Sequence, residues 1–89
     1  MLKITKVEES GTTVRLKLEG KVTEQWAALL EGECRAFLRN RKALVLDCAA
    51  VNFLDARGVE VLRNLPQEEV RLIGAPGFVT ELLQTGGRS

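Results

Sequence analysis

Two carboxylates near the middle of the chain are spaced in a way that could support chemistry. Asp47 ends an apolar run at 44–46, and Asp55 directly precedes the segment Ala56-Arg57-Gly58. We predict a buried strand, a short loop and a helix that begins after Asp55. Open α/β sheets usually hold their sites at the carboxyl ends of their strands. A divalent-metal or acid/base site is therefore one interpretation of this pair.

Asp55 also has a simpler structural interpretation. The first N–H groups of a helix have no partner within the helix, and an Asp side chain just before the helix accepts hydrogen bonds from them. A metal site would need a third ligand and acid/base chemistry a nearby histidine, but the sequence contains no His. The capping role is favoured, and we expect no enzyme activity, no metal and no cofactor.

Arg57 and Gly58 distinguish the start of this helix. A cation in the first turn opposes the helix dipole, so local electrostatics do not explain Arg57. Its guanidinium could donate to a carboxylate or phosphate of a partner, or it could be an exposed residue tolerated at small cost. Gly58 would let the helix lie close against the sheet or a neighbouring segment.

Composition narrows the classes of function. Thirteen basic and twelve acidic residues leave a net charge of +1, which gives no global case for binding nucleic acid or a membrane surface. The apolar runs are too short to span a bilayer, and the first residues lack the pattern of a signal peptide. Cys34 and Cys48 are expected to be free buried thiols of a cytoplasmic protein, with a disulfide as the alternative. The 89 residues fit one domain, 1–89, with a thin core.

Hydrophobic spacing predicts a hairpin followed by a helix. The first strand is indicated by Leu2, Ile4 and Val7. The second alternates charged residues with Val14, Leu16 and Leu18. A connection at 20–22 then leads to a helix that Thr23 can cap and that extends to Asn40. Its predicted apolar face consists of Trp26, Leu29, Leu30, Cys34, Phe37 and Leu38.

Charged residues on and after this helix have two interpretations each. Glu33 falls on the apolar face and is expected at its rim or beside a cation, with partner binding as the minor alternative. Four cations follow near the helix end: Arg35, Arg39, Arg41 and Lys42. Positive charge suits the exposed carbonyls of a helix end, and this interpretation is favoured over a phosphate-binding patch.

The second half of the chain predicts two further strands and two further helices. The run 43–48 has Asp47 as its only charged residue, which is typical of a strand covered on both faces. The helix after Asp55 should stop before Pro66 and bury Gly58, Val59, Leu62 and Leu65. A strand at 70–73 should be followed by a helix that contains Phe78, Val79, Leu82 and Leu83 and ends at Gly86-Gly87.

The resulting order is β-β-α-β-α-β-α. It predicts an α/β fold with a mixed sheet of about four strands and three helices.

The segment 47–59 resembles the central motif of the STAS domain, a family named after sulphate transporters and anti-sigma-factor antagonists. The motif is a strand ending in Asp47, a loop with the aromatic Phe53 before an apolar residue, and Asp55 opening a helix. The family's Ser-Ser-Gly is here Ala56-Arg57-Gly58. Segments 14–22 and 70–86 resemble the second strand and the later strand and helix of the family. The resemblance covers nearly the whole chain, and the family has the same element order.

This resemblance implies a non-catalytic protein-interaction module. In the antagonists, the first Ser after the motif Asp is phosphorylated by a kinase that is also the anti-sigma factor. That position is Ala56 here, and Thr23 stands where the antagonists usually have an Asp. Binding is therefore expected without the usual phospho-switch. The expected partner-binding residues are Asn52, Phe53, Asp55, Ala56, Arg57 and Gly58.

Several partners fit this interpretation. The leading expectation is an anti-sigma-type kinase or a larger signalling assembly. Some short stand-alone STAS proteins bind the cytoplasmic ATPase of a lipid transporter, so an accessory transport subunit is the alternative. A third hypothesis is a nucleotide or other small anion bound near Arg57. A second copy of the chain, forming a homodimer, is a further alternative. Binding of nucleic acid and direct membrane insertion are not expected.

Overall fold

The secondary structure has the predicted element order. The computed structural model describes residues 1–85. Its elements are β1 (Leu2–Glu9), β2 (Thr13–Val22), α1 (Glu24–Arg39), β3 (Ala43–Leu54), α2 (Ala56–Asn64), β4 (Val70–Ile73) and α3 (Gly77–Thr85). The predicted β-β-α-β-α-β-α order is confirmed. The predicted helix end at Gly86-Gly87 lies outside the described residues.

The four strands form one mixed sheet in the order β1-β2-β3-β4. β1 and β2 form the predicted antiparallel hairpin, closed by Ser10, whose Oγ accepts the N–H groups of Thr12 and Thr13 at 3.3 and 3.1 Å. β2 with β3 and β3 with β4 are parallel pairs. β3 therefore lies inside the sheet, and its carboxyl end leads directly into α2.

The core lies between one face of the sheet and the helices. Val14, Leu16 and Leu18 of β2 are buried, while Arg15 and Lys17 between them are exposed. β3 alternates in the same way: its buried residues include Leu44, Leu46 and Cys48, whereas Val45 and Asp47 are half-buried and Ala49 is exposed. In the described part of the chain, the helices therefore cover only one face of the sheet.

The prediction that β3 is covered on both faces is thus wrong. The apolar run at 44–46 is uninterrupted because Val45, which lies on the open face, is itself apolar. A β-branched residue suits a half-exposed pleated surface, so an apolar run does not by itself indicate two covered faces.

β3 is also longer than predicted. The short loop expected before Asp55 is strand, because pairing with β2 continues as far as the pair Val22–Leu54. Two register shifts each place one extra residue in β3. Such bulges break the period of two, which is why Val51 and Leu54 are both buried although they lie three residues apart. The predicted connection at 20–22 is likewise the last part of β2.

The helices bury narrower faces than the sequence indicated. α1 is centred on Ala27, Leu30 and Cys34, so Leu29 is 47% exposed and Glu33 is exposed beside it. α2 buries Gly58, Val61 and Leu62, with Val59 half-buried. In α3, Val79 is buried but Phe78 and Leu82 are 38% and 39% exposed. A single covering layer leaves the flanks of each helix in solvent, so apolar residues there are only partly buried.

Both cysteines are free and buried, as predicted. Burial disfavours the charged thiolate, which raises the pKa of Cys34 to about 12 and that of Cys48 to about 11. These thiols therefore act as small apolar core residues. None of the helices within residues 1–85 is long and apolar enough to cross a membrane.

Candidate partner-binding site

Asp55 lies between β3 and α2, and its carboxylate binds the starts of two helices. Oδ1 accepts the N–H of Gly58 at 2.8 Å, which confirms the predicted capping of α2. Oδ2 accepts the N–H of Glu24, in α1, at 3.0 Å. Charge-assisted hydrogen bonds of this kind are stronger than neutral ones, so Asp55 fixes the two helix starts relative to each other. Sequence reasoning missed the second bond because its partners are 31 residues apart.

Thr23 precedes α1 at the N-cap position, but its side chain makes no capping hydrogen bond. Asp55 supplies an acceptor for the first turn instead. Glu24 has a φ of 44°, in the left-handed region. This backbone conformation costs a residue with a side chain roughly 1–2 kcal/mol. The bond to Asp55 therefore helps to hold a strained residue beside the candidate site.

Gly58 brings α2 against the end of β2. A Cβ atom at this position would overlap the carbonyl oxygen of Val22. The N–H of Asp55 donates to that same carbonyl at 3.3 Å. The close approach expected at Gly58 is present, and a larger side chain would require β2 or α2 to move.

The exposed part of the predicted site consists of Asn52, Phe53, Ala56 and Arg57. Phe53 is 48% exposed and lies opposite Lys21 of β2. Arg57 is exposed and makes no ion pair within residues 1–85. The segment therefore presents an aromatic side chain, a methyl group and an unpaired guanidinium to solvent. A shallow depression beside it is lined by Glu24, Asp55, Ala56, Arg57 and Glu60.

The comparisons with known proteins agree with this architecture. A family model described as "Mlab, STAS domain" matches residues 5–88. The chain belongs to the STAS domain family.

Two solved structures share the fold of this STAS domain. The anti-sigma factor antagonist SpoIIAA in its unphosphorylated form has a TM-score of 0.73 and 14% sequence identity, covering 94% of this chain and 84% of its own. An anti-sigma factor antagonist from Mycobacterium paratuberculosis has a TM-score of 0.70 and 24% identity, covering 97% and 79%. A comparison with curated protein sequences found no significant match.

Asp47 and Asp55 do not lie together at the carboxyl end of β3. Asp47 lies inside β3 opposite Ile73, and its Oδ1 accepts the N–H of Ala49 at 3.1 Å. Asp55 follows Leu54, and five residues of the paired strand β2 separate the register positions of Asp47 and Leu54, which is about 17 Å at the usual rise of a strand. In the described part of the chain, no three His, Cys, Asp or Glu side chains are grouped in a way that could hold a metal. The predicted position of Asp47 at the carboxyl end of the strand is therefore wrong, because β3 continues to Leu54.

Two of the four cations near the end of α1 take part in the local structure. Lys42 donates to the carbonyl of Ser10 and pairs with Glu9 at 3.0 Å, and Arg35 pairs with Glu31 at 3.4 Å. Hydrogen bonds from Lys6 and Lys42 lower the pKa of the Glu9 carboxyl. These pairings favour the structural interpretation of the cluster over a phosphate-binding patch.

Proposed function

We propose that this STAS domain is a non-catalytic module that binds a protein partner through the α2-start surface, formed by the exposed residues Asn52, Phe53, Ala56 and Arg57 and positioned by the less accessible Asp55 and Gly58. One observation carries the proposal: the backbone that bears these exposed side chains is held rigidly in place. Asp55 holds the starts of α1 and α2 together, and Gly58 is packed against β2. A pre-organised surface loses little entropy on binding, and aromatic and Arg side chains supply most of the binding energy at protein interfaces.

This binding is proposed to be constitutive. Ala56 occupies the first position of α2 after the capping Asp55, and its side chain is exposed. A phosphate there would add nearly two negative charges, but a methyl group cannot accept one. Control would then come from the amount of the protein or of its partner.

The proposed partner is an anti-sigma-type kinase or a related signalling assembly. The similarity in fold to two anti-sigma factor antagonists supports this class. The ATPase of a membrane lipid transporter is the second candidate, suggested by the resemblance to short stand-alone STAS proteins that bind such an ATPase. The small-anion hypothesis is not favoured, because Glu24, Asp55 and Glu60 line the same depression as Arg57.

Affinity capture from the native cell tests this proposal. Tagged wild-type protein is compared with Arg57→Glu and Ala56→Trp, which alter the exposed surface without filling the close contact at Gly58. Arg39→Glu, the same charge change at an exposed position of the last turn of α1, is the matched control. Circular dichroism first establishes that all four proteins are folded.

We expect wild type and Arg39→Glu to capture the same protein, and the two surface variants to lose it. The identity of that protein distinguishes a kinase-like signalling partner from a transport ATPase. Equal capture by all four proteins would contradict docking at the α2-start surface.

A further inference from the structure

β4 leaves one edge of the sheet open. Within residues 1–85, its outer edge pairs with no strand. On the inner side, the N–H of Leu44 donates to the carbonyl of Glu69 at 2.7 Å, and Leu46 lies opposite Leu72. Successive residues of a strand turn their backbone groups to alternate sides. Leu72 therefore turns both its N–H and its C=O away from β3, toward the open edge.

An apolar groove lies beside this edge. It has a volume of about 580 Å³ and is formed by α2, β4 and α3. The apolar residues that line it are Leu62, Leu65, Val70, Leu72, Ala75 and Leu83. Arg63 and Thr80 contribute polar atoms to the same lining. The side chain of Leu72 thus lines the groove while its backbone groups face the adjacent open edge.

The unpaired backbone groups indicate what kind of molecule fits. An N–H and a C=O on a strand edge are matched by another extended backbone, whereas a helix has bonded its own groups internally and an acyl chain has none. Every second side chain of an added strand would point to the same face as Leu72, which is the groove. The surroundings therefore favour an extended polypeptide with apolar residues at alternate positions.

Charge narrows the occupant further. Arg63 in the groove lining and Arg71 on the other face of β4 are both exposed, and neither has an ion pair in the described part of the chain. Acidic side chains that alternate with apolar ones on an added strand lie on the face of Arg71 and could reach its guanidinium group, because charges of opposite sign stabilise neighbouring strands. Glu69 precedes β4 on that same face, so the attraction is confined to the part of the edge beside Arg71.

We propose that the outer edge of β4 binds an extended acidic segment of a partner protein as a fifth strand. The apolar side chains of the segment enter the groove, and its acidic side chains lie near Arg71 on the other face of the sheet. This second surface uses the end of α2 opposite to the α2-start surface, so the two can be tested separately. A partner that contacted both would gain avidity from the second contact.

A defined peptide tests this proposal with the whole chain. The probe is a blocked peptide that alternates Asp with Leu, compared with one of the same composition in which the Asp and Leu residues are grouped. A third peptide alternates Lys with Leu. Fluorescence anisotropy measures affinity, and amide NMR locates the contact. We expect the alternating acidic peptide to bind at least about fivefold more tightly than either control and to protect the Leu72 amide from hydrogen exchange.

Variants of the groove provide the second part of the test. Thr80→Trp should fill the groove and Arg71→Glu should repel the acidic side chains of the peptide, each weakening binding by about tenfold or more. Arg39→Trp and Arg39→Glu, at an exposed position outside the groove, are the matched controls for bulk and for charge and should bind like wild type. Equal affinity for all three peptides, or amide changes away from β4, would overturn the proposal. So would a wild-type dimer that Thr80→Trp abolishes, since the occupant would then be a second copy of the chain.

Discussion

Asp55 accepts one backbone hydrogen bond from each of two helices, at Glu24 and at Gly58. Replacing it removes both acceptors at once. We expect Asp55→Ala to lower the free energy of unfolding by about 2 kcal/mol, because it removes a cap and also leaves the Glu24 N–H unpaired. Asp55→Asn keeps one side-chain oxygen and should lose about half as much. Urea denaturation measures both values. Loss of less than about 0.5 kcal/mol in Asp55→Ala would contradict the double role.

Gly58 and Gly32 provide a matched pair of glycines within helices. A Cβ at Gly58 meets the Val22 carbonyl, whereas a Cβ at Gly32 meets nothing within 4 Å. We therefore expect Gly58→Ala to destabilise the fold, by more than about 1 kcal/mol. Gly32→Ala should stabilise it by about 0.5–1 kcal/mol, because alanine favours the helix. Thermal and urea denaturation of the two variants measure the difference. The same sign of change in both would contradict the close contact at Gly58.

The buried thiols predict how stability depends on alkaline pH. The pKa values of Cys34 and Cys48 rise from 9.0 to about 12 and about 11. The unfolded chain therefore loses thiol protons at a lower pH than the folded chain. It follows that the thiols stabilise the fold fully below about pH 9 and that this contribution falls as pH rises through about 11. Urea denaturation across this range should show a smaller decline in a Cys34→Ala/Cys48→Ala double variant than in wild type. Parallel curves for the two proteins would contradict this assignment.

The carboxyl end of α1 is stabilised by a helix-capping motif of the backbone. Arg41 has a φ of 61°, and the N–H groups of Arg41 and Lys42 donate to the carbonyls of Leu38 and Phe37 at 3.0 and 3.1 Å. This is the Schellman arrangement, in which glycine usually takes the left-handed position. Arg41→Gly should therefore raise the free energy of unfolding by about 0.5–1 kcal/mol. Arg39→Gly, at an ordinary helical position, should lower it by about 1 kcal/mol, and denaturation of both variants checks the contrast.

The sequence predicted which helices and strands form better than it predicted which of their faces are buried. The hairpin and the cap at Asp55 were accessible because their signals are local: alternation in β2, and an Asp directly before the predicted helix. The extent of β3 was not accessible, because two bulges interrupt its period of two. The buried face of α1 differs from the predicted apolar face because Ala27, although fully buried, is small and contributes little to the hydrophobic pattern. The bond from Asp55 to Glu24 depends on tertiary structure and leaves no local pattern.

The sheet is unusual in having one face that is open to solvent. β2, β3 and β4 are parallel neighbours, and parallel sheets are generally covered on both faces. In the described residues, this sheet has helices on one face only, and its open face carries charged residues such as Arg15 and Lys17. The arrangement leaves the α2-start surface and the β4 edge accessible together. This is consistent with a module whose role is to bind other proteins.

Site-specific crosslinking in the native cell tests the central claim most directly. A photo-crosslinking amino acid with a short aliphatic side chain, much smaller than the tryptophan of Ala56→Trp, replaces Ala56 in one protein and Arg39 in another, since both positions are exposed. Mass spectrometry then identifies the crosslinked proteins. The account predicts one dominant partner at position 56 that is absent at position 39 and is lost when Arg57→Glu is added. The same crosslinked proteins at both positions, or a position-56 product that persists with Arg57→Glu, would contradict it.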